Sequence, residues 1–212
     1  MVEVVPAILV KSREDLLDRI ARTRNFAKMM HIDIMDNIFV PNKTIGTEEL
    51  SNLPNGVRYE FHWMVKEPER YIEKVKGPHL HLVHVETISD FGAVRKAVKK
   101  AGGVLGLALN PETPVEEILP FARYAKRILV MAVHPGFSGQ GYIKEVEGKI
   151  AELRKRFSDV DIEVDGGINA ETAEGAATAG ANILAAANSI FSKPHAGNAI
   201  KEIKKSAEGN HG

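Results

Sequence analysis

The chain has 212 residues, and Lys+Arg and Asp+Glu both number 28, so its formal net charge is zero. That balance excludes the basic footprint of a nucleic-acid binder or of a protein held on an acidic membrane. The absence of cysteine excludes a disulfide framework and thiolate chemistry. A hydrophobic content of 44% at this length is enough to bury a core in one domain, taken here as residues 1–212.

Apolar, β-branched runs alternate with amphipathic, charge-rich segments along the whole chain. Residues 2–9 read as a strand, followed by a helix over 12–27 that Ser12 and Asp15 would start. The apolar run 4–10 lacks a basic leader and is far too short to span a bilayer, so neither a signal peptide nor an anchor is expected. The cytoplasm is the expected compartment.

A second strand over 30–35 leads into a loop and a short helix near 47–52. Strand 58–64 precedes helix 68–74, where Pro68 suits a first turn. Strand 80–85 precedes helix 90–101, which Gly102 and Gly103 should stop. The pattern then repeats as 104–109 with 114–122, 127–133 with 143–157, and 162–165 with 170–179, closed by Gly180. The last pair is 183–187 with 195–207, and 206–212 reads as a frayed, flexible tail. About eight strand–helix units without a second composition regime predict a (β/α)8 TIM barrel. A doubly wound sheet would have fewer strands and a Gly-rich turn after its first; residues 6–10 contain no glycine.

The chemistry gathers at strand ends. On a strand over 30–35, His31, Asp33 and Met35 share one face, where an uncompensated carboxylate would cost several kcal/mol. His62 and Met64 repeat the histidine–methionine order on the third strand, and Asp165 ends the seventh before Gly166 and Gly167. Two imidazoles and two carboxylates suit a divalent transition metal, and a barrel would bring them together on its C-terminal rim. Three backbone-rich segments share that rim: 134–141, 165–167 and 186–189. Barrels of this kind often bind phosphate there. His79, His81 and His84 do not form a second metal cluster, because strand alternation puts 84 opposite 79 and 81. His84 and Glu86 are expected beside the ligands, and Trp63 in the core beneath the helices.

Over nearly its whole length the chain resembles the ribulose-phosphate 3-epimerase family. The motifs that carry the resemblance are Pro6-Ala-Ile-Leu9, His31-Ile-Asp-Ile-Met-Asp-Asn-Ile-Phe-Val-Pro-Asn42, His62-Trp-Met-Val65, His84-Val-Glu86, Gly106-Leu-Ala-Leu-Asn-Pro-Glu-Thr-Pro114, Val130-Met-Ala-Val-His-Pro-Gly-Phe-Ser-Gly-Gln140 and Glu163-Val-Asp-Gly-Gly-Ile168. The resemblance implies a metal-dependent isomerase of the pentose phosphate pathway that interconverts D-ribulose 5-phosphate and D-xylulose 5-phosphate. It implies one divalent ion per chain, Zn2+, Fe2+ or Mn2+, on His31, Asp33, His62 and Asp165, with the two aspartates as the acid–base pair. Met35, Met64, Met131 and His62 would lie near the reacting carbons. Ser138, Gly139, Gln140, Gly141, Gly166, Gly167, Ala187 and Asn188 would surround the phosphate. A homo-oligomer is also expected. The chemistry agrees: inverting a carbon beside a ketone takes a base on each face of a planar enediolate and a cation against the developing charge.

The chain departs from the family pattern at substrate contacts. Ala7 stands in place of a usual serine, Ser138 in place of a glycine, and Ala187-Asn188 in place of Gly-Ser. A lost neutral hydrogen bond is worth about 0.5–1.5 kcal/mol, and an alanine forced to positive φ costs about 1–2 kcal/mol. These changes leave two alternatives: an epimerase of a six-carbon ketose phosphate such as allulose 6-phosphate, or a metal- and phosphate-binding barrel without turnover. Retention of both carboxylates argues against the second, since binding alone needs no residue on each face.

Overall fold

The structure is a computed structural model that describes residues 2–209. Eight parallel strands are hydrogen-bonded in chain order and close when β8 pairs with β1. They are β1 Glu3–Ile8, β2 Met29–Met35, β3 Arg58–Met64, β4 Leu80–His84, β5 Val104–Leu109, β6 Arg127–Met131, β7 Asp161–Asp165 and β8 Ile183–Ala186. Between and after them run α1 Arg13–Thr23, α2 Pro68–Ile72, α3 Phe91–Ala101, α4 Leu119–Ala122, α5 Val146–Arg156, α6 Ala173–Thr178, α7 Asn188–Phe191 and α8 Ala196–Ala207. This is the (β/α)8 barrel that the alternation predicts.

Local signals act where expected. Ser12 caps α1 by accepting the Asp15 N–H at 3.1 Å. Pro68 opens α2, and Gly102, at φ 78°, ends α3. Outward-facing strand residues such as Ile32, Phe61, Trp63 and Ile128 pack with Leu16, Ile20 and Ile72 of the helices in the main apolar cluster. Burial of each such side chain contributes about 1.5–3 kcal/mol. Among the described residues, no helix is long and apolar enough to cross a membrane.

Two expectations are corrected. Residues 206 and 207 are not tail: α8 runs to Ala207, which is buried because it continues the stripe of Ala196, Ala199, Ile200 and Ile203. Glu208 caps the helix and Gly209 follows it, while 210–212 of the expected tail lie outside the described residues. A short helix, α7, follows β8 where only a phosphate-binding segment was expected. At four residues it is too short to show any periodicity.

The inside of the barrel is divided. Leu80, Leu82, Ala108, Leu129, Met131 and Val133 form one apolar cluster, and Val5, Met29 and Ile183 another. Beside them the inward positions carry buried charge or imidazole: His31, Asp33, Glu60, His62, His84, Arg127 and Glu163. Strand register stacks these groups, pairing His31 with Glu60, Asp33 with His62, Leu129 with Glu163 and Met131 with Asp165.

Candidate metal and substrate site

At the C-terminal end of the barrel, one ligating atom from each of His31, Asp33, His62 and Asp165 lies within 4.8 Å of the other three. Ligand bonds of about 2.1 Å place such atoms at most about 4.2 Å apart, so a small closure would seat an ion. The donor chemistry supports this. His31 Nδ1 lies 2.9 Å from Glu60 Oε1 and 3.0 Å from Glu163 Oε1, so it carries the proton and donates. Its Nε2 lone pair then faces Asp33 Oδ1 at 3.2 Å. Asp33 Oδ1 is also 3.0 Å from His62 Nδ1, and Asp165 Oδ2 is 3.9 Å from that nitrogen. Electron pairs converging at such distances require a cation between them, a metal ion or a proton. The residues present fit a divalent ion.

Beneath the site lies a layer that sequence reasoning missed. The Arg127 guanidinium donates to Glu60 and, at 2.9 Å, to Glu163 Oε2, the same two carboxylates that hold His31. His31, Glu60 and Glu163 also meet the geometry of a metal group, but Arg127 already supplies the positive charge there. A signal was available. Glu60 has the strand parity of His62, Glu163 that of Asp165, and Arg127 that of Met131, so all three had to face inward.

The two aspartates are driven apart in acidity. Burial penalises the Asp33 charge, but hydrogen bonds with His31 and His62 outweigh it and hold the carboxyl well below its ordinary range. Burial, and then the charge of Asp33, push Asp165 up to about 7. At neutral pH and without a cation between them, one is a committed carboxylate and the other can carry a proton. Burial lowers His62 to about 4, while His31 is raised because bonds to Asp33, Glu163 and Glu60 outweigh its burial.

Above the four clustered side chains opens a cavity of about 360 Å3, within the range of small-ligand sites. Of the residues singled out in the sequence, Asp33, Met35, Met64, Met131, Asp165, Gly166, Gly167, Ser138, Gly139, Gln140, Gly141, Ala187 and Asn188 all line it. His31, His62 and Ala7 do not. All three are buried, so the two histidines lie beneath the floor, and Leu9, just after β1, reaches the cavity instead of Ala7. Leu9, Val133, Tyr142, Asn169 and Ser189 also line it and were not expected.

The rim is braced backbone. Gly166 sits at φ 114° and Gly167 at φ 66°, and a Cβ on Gly167 would come within 2.6 Å of the Tyr142 nitrogen. Ser189 Oγ donates to the Ile168 carbonyl at 2.6 Å, tying α7 to the Gly-Gly turn. Gln140 Nε2 donates to the carbonyls of His134 and Phe137, so its amide nitrogen is committed to the loop. Ala187 is at φ −107°, and Ser138 is not among the residues with positive φ. Neither substitution therefore carries the left-handed strain that a lost glycine could impose.

Similarity to known proteins places this geometry. The model of the ribulose-phosphate 3 epimerase family matches residues 3–191. The cytoplasmic isoform of ribulose-phosphate 3-epimerase from Oryza sativa is 36% identical, covering 98% of this chain and 95% of that protein. The Bacillus subtilis ribulose-phosphate 3-epimerase is also 36% identical, over 97% of this chain and all of that protein. The barrel itself resembles that of a 3-keto-L-gulonate-6-phosphate decarboxylase from Vibrio cholerae, with a TM-score of 0.71 at 9% identity over 98% of this chain and 97% of the other. It also resembles 3-hexulose-6-phosphate synthase from Salmonella typhimurium, with a TM-score of 0.71 at 12% identity over 99% and 100%. These last two share the fold alone. From its sequence and its site, this chain is an enzyme, an isomerase belonging to the ribulose-phosphate 3-epimerase family.

Proposed function

We propose that the enzyme interconverts D-ribulose 5-phosphate and D-xylulose 5-phosphate, with Asp33 and Asp165 as the two acid–base groups. The observation that carries this reading is the aspartate pair itself. Two carboxyl groups from β2 and β7 line one cavity, and their surroundings drive their acidities in opposite directions. Such a pair suits the removal of a proton from one face of C3 and its return to the other.

His31, Asp33, His62 and Asp165 would hold one divalent ion. When bound, the ion supplies positive charge where the C2 and C3 oxygens gain negative charge as the proton leaves. It would also pull the pKa of both aspartates down, while their opposed surroundings keep Asp165 the more readily protonated of the two. Met35, Met64 and Met131 line the cavity beside the carboxyl groups with apolar surface that excludes water. The phosphate is assigned to the braced backbone of 138–141, Gly166-Gly167 and 187–189, whose N–H groups need no side-chain charge to bind an anion.

The test is exchange of the C3 proton of ribulose 5-phosphate in heavy water, with and without a chelator, beside parallel kinetics on allulose 6-phosphate. Exchange coupled to xylulose 5-phosphate formation and lost with the metal supports the reading. A higher kcat/KM for the six-carbon sugar would overturn the substrate, and exchange that survives complete metal removal would overturn the metal.

A further inference from the structure

Behind His62 a chain of hydrogen bonds leads out of the site. His62 Nε2 lies 2.8 Å from His84 Nε2, with the ring centroids 5.0 Å apart and the ring planes within 20° of parallel. His84 Nδ1 lies 3.1 Å from Glu86 Oε2. The other Glu86 oxygen accepts the Asn110 N–H at 2.7 Å and the Thr113 hydroxyl at 2.5 Å. Lys149 on α5 fastens that loop by donating to the carbonyls of Asn110, Pro111 and Thr113.

The direction of each bond follows from the acceptor at the end. A carboxylate has only lone pairs to offer, so His84 Nδ1 must carry the proton. Burial opposes the Glu86 charge, but bonds from His84, Asn110 and Thr113 hold its carboxyl down at about 2, so it remains a carboxylate at neutral pH. A neutral His84 with hydrogen on Nδ1 has a bare Nε2, which can only accept. His62 must then donate from Nε2, which strips Nδ1 of hydrogen. That nitrogen is the one 3.0 Å from Asp33.

We propose that Glu86 and His84 are positioning residues that fix His62 in its Nε2–H tautomer and so present Nδ1 to the metal. The inference rests on the metal reading of the site. An isolated imidazole exchanges its two neutral tautomers freely, and only one leaves the ligand lone pair facing Asp33. Asp33 alone draws hydrogen to Nδ1; once an ion takes that place, the relay receives the hydrogen at Nε2 from outside the ligand set. Lys149 and the 110–113 loop hold the far end still.

Zinc alone is the probe. In zinc-loaded wild-type protein, long-range 1H–15N correlation of the histidine rings should find hydrogen on Nε2 of His62 and on Nδ1 of His84. Glu86→Gln cannot give both oxygens' worth of acceptance. Its amide must face either His84, reversing the relay, or the Asn110 N–H. Zinc affinity, measured by competition with a chromophoric chelator, should fall roughly 10–100-fold, with the thermal midpoint of the metal-free protein little changed. His84→Gln, which can still accept from His62 through its carbonyl, should retain more affinity than His84→Phe, which keeps a planar ring there but cannot accept. A His62 protonated on Nδ1 in the zinc form, or His84→Gln and His84→Phe binding alike, would overturn the relay, and so would a folded Glu86→Gln binding zinc as wild type does. Wild-type protein that takes up no zinc would overturn the metal reading and the relay with it.

Discussion

Arg127 and His31 do not bond to one another, yet both are held by the same two carboxylates. Glu60 and Glu163 each accept from the guanidinium below and from His31 Nδ1 above. Burial and the charge of Glu163 push Glu60 up to about 7. Glu163, though buried, is held down at about 2 by Arg127 and His31. One cation thus sustains two buried acids, and these orient His31, a candidate ligand of the site.

Arg127→Met tests that arrangement. Methionine fills most of the volume but leaves two carboxylates in the barrel without their cation. Breaking a buried ion pair from one side costs about 3–5 kcal/mol, so chemical denaturation should show a loss of that order. Adding Glu60→Gln to Arg127→Met removes one of the orphaned charges and should recover part of it. A single variant as stable as wild type would mean that the carboxylates do not depend on Arg127.

Asp33→Asn and Asp165→Asn should each lower kcat roughly 10²–10⁴-fold by removing a proton carrier, with metal content measured alongside because both are assigned as ligands. Asp36→Asn should behave differently. Asp36 accepts the N–H groups of Ile38, Phe39 and Lys66, and so organises the loop after β2. Asparagine keeps one acceptor oxygen, so the cost should be about 1 kcal/mol of stability and little kcat. A near-wild-type rate for Asp165→Asn with normal metal would remove Asp165 from the acid–base pair.

The fold and the clustering of the four candidate ligands were legible because strand alternation fixes which residues face inward once the strands are counted. His31, Asp33, His62 and Asp165 are polar at positions where a barrel interior is normally aliphatic, and that contrast marks them. The same contrast marks Glu60, Glu163 and Arg127, but charged residues on a strand fit a solvated face equally well, and it is their mutual neutralisation inside the closed barrel that allows them inward. What alternation cannot supply is depth along the strand. Ala7 and Leu9 of the first strand region have the same parity, yet only Leu9 reaches the cavity, since strand register sets how far each residue rises. Backbone torsion is equally silent in sequence, so the strain imagined at Ala187 dissolves at φ −107°.

At the rim the torsions do matter. Gly167→Ala would need φ near 66° and would place Cβ 2.6 Å from the Tyr142 nitrogen. The left-handed backbone alone costs about 1–2 kcal/mol, and the contact would push back the loop around 138–142. Because that loop is assigned to the phosphate, the change should raise KM several-fold while leaving kcat within a few-fold, as loss of binding shared by ground and transition states does. The reverse pattern, kcat falling at constant KM, would place Gly167 in the chemistry instead of the anchoring.

Away from the site, His81 should make the barrel sensitive to acid. Its Nδ1 accepts the Trp63 indole N–H at 3.1 Å, and its buried Nε2 has no partner among the described residues. A second proton would have to go on Nδ1, breaking the Trp63 bond and charging a buried ring. Burial, and then the nearby His79, lower its pKa from 6.5 to about 3. Between those values the unfolded chain binds a proton that the folded chain refuses, so the stabilisation is whole above pH 6.5 and is lost as pH falls toward 3. The slope is about 1.4 kcal/mol per pH unit for one proton. His81→Gln, whose carbonyl can still accept from Trp63, should be less stable at neutral pH through poorer packing against Gly103 but should lose stability less steeply from pH 6 to pH 4. Denaturation at several pH values measures both quantities, and only the slope reports titration. Parallel slopes for the variant and the wild type would mean that His81 takes up its proton as readily folded as unfolded.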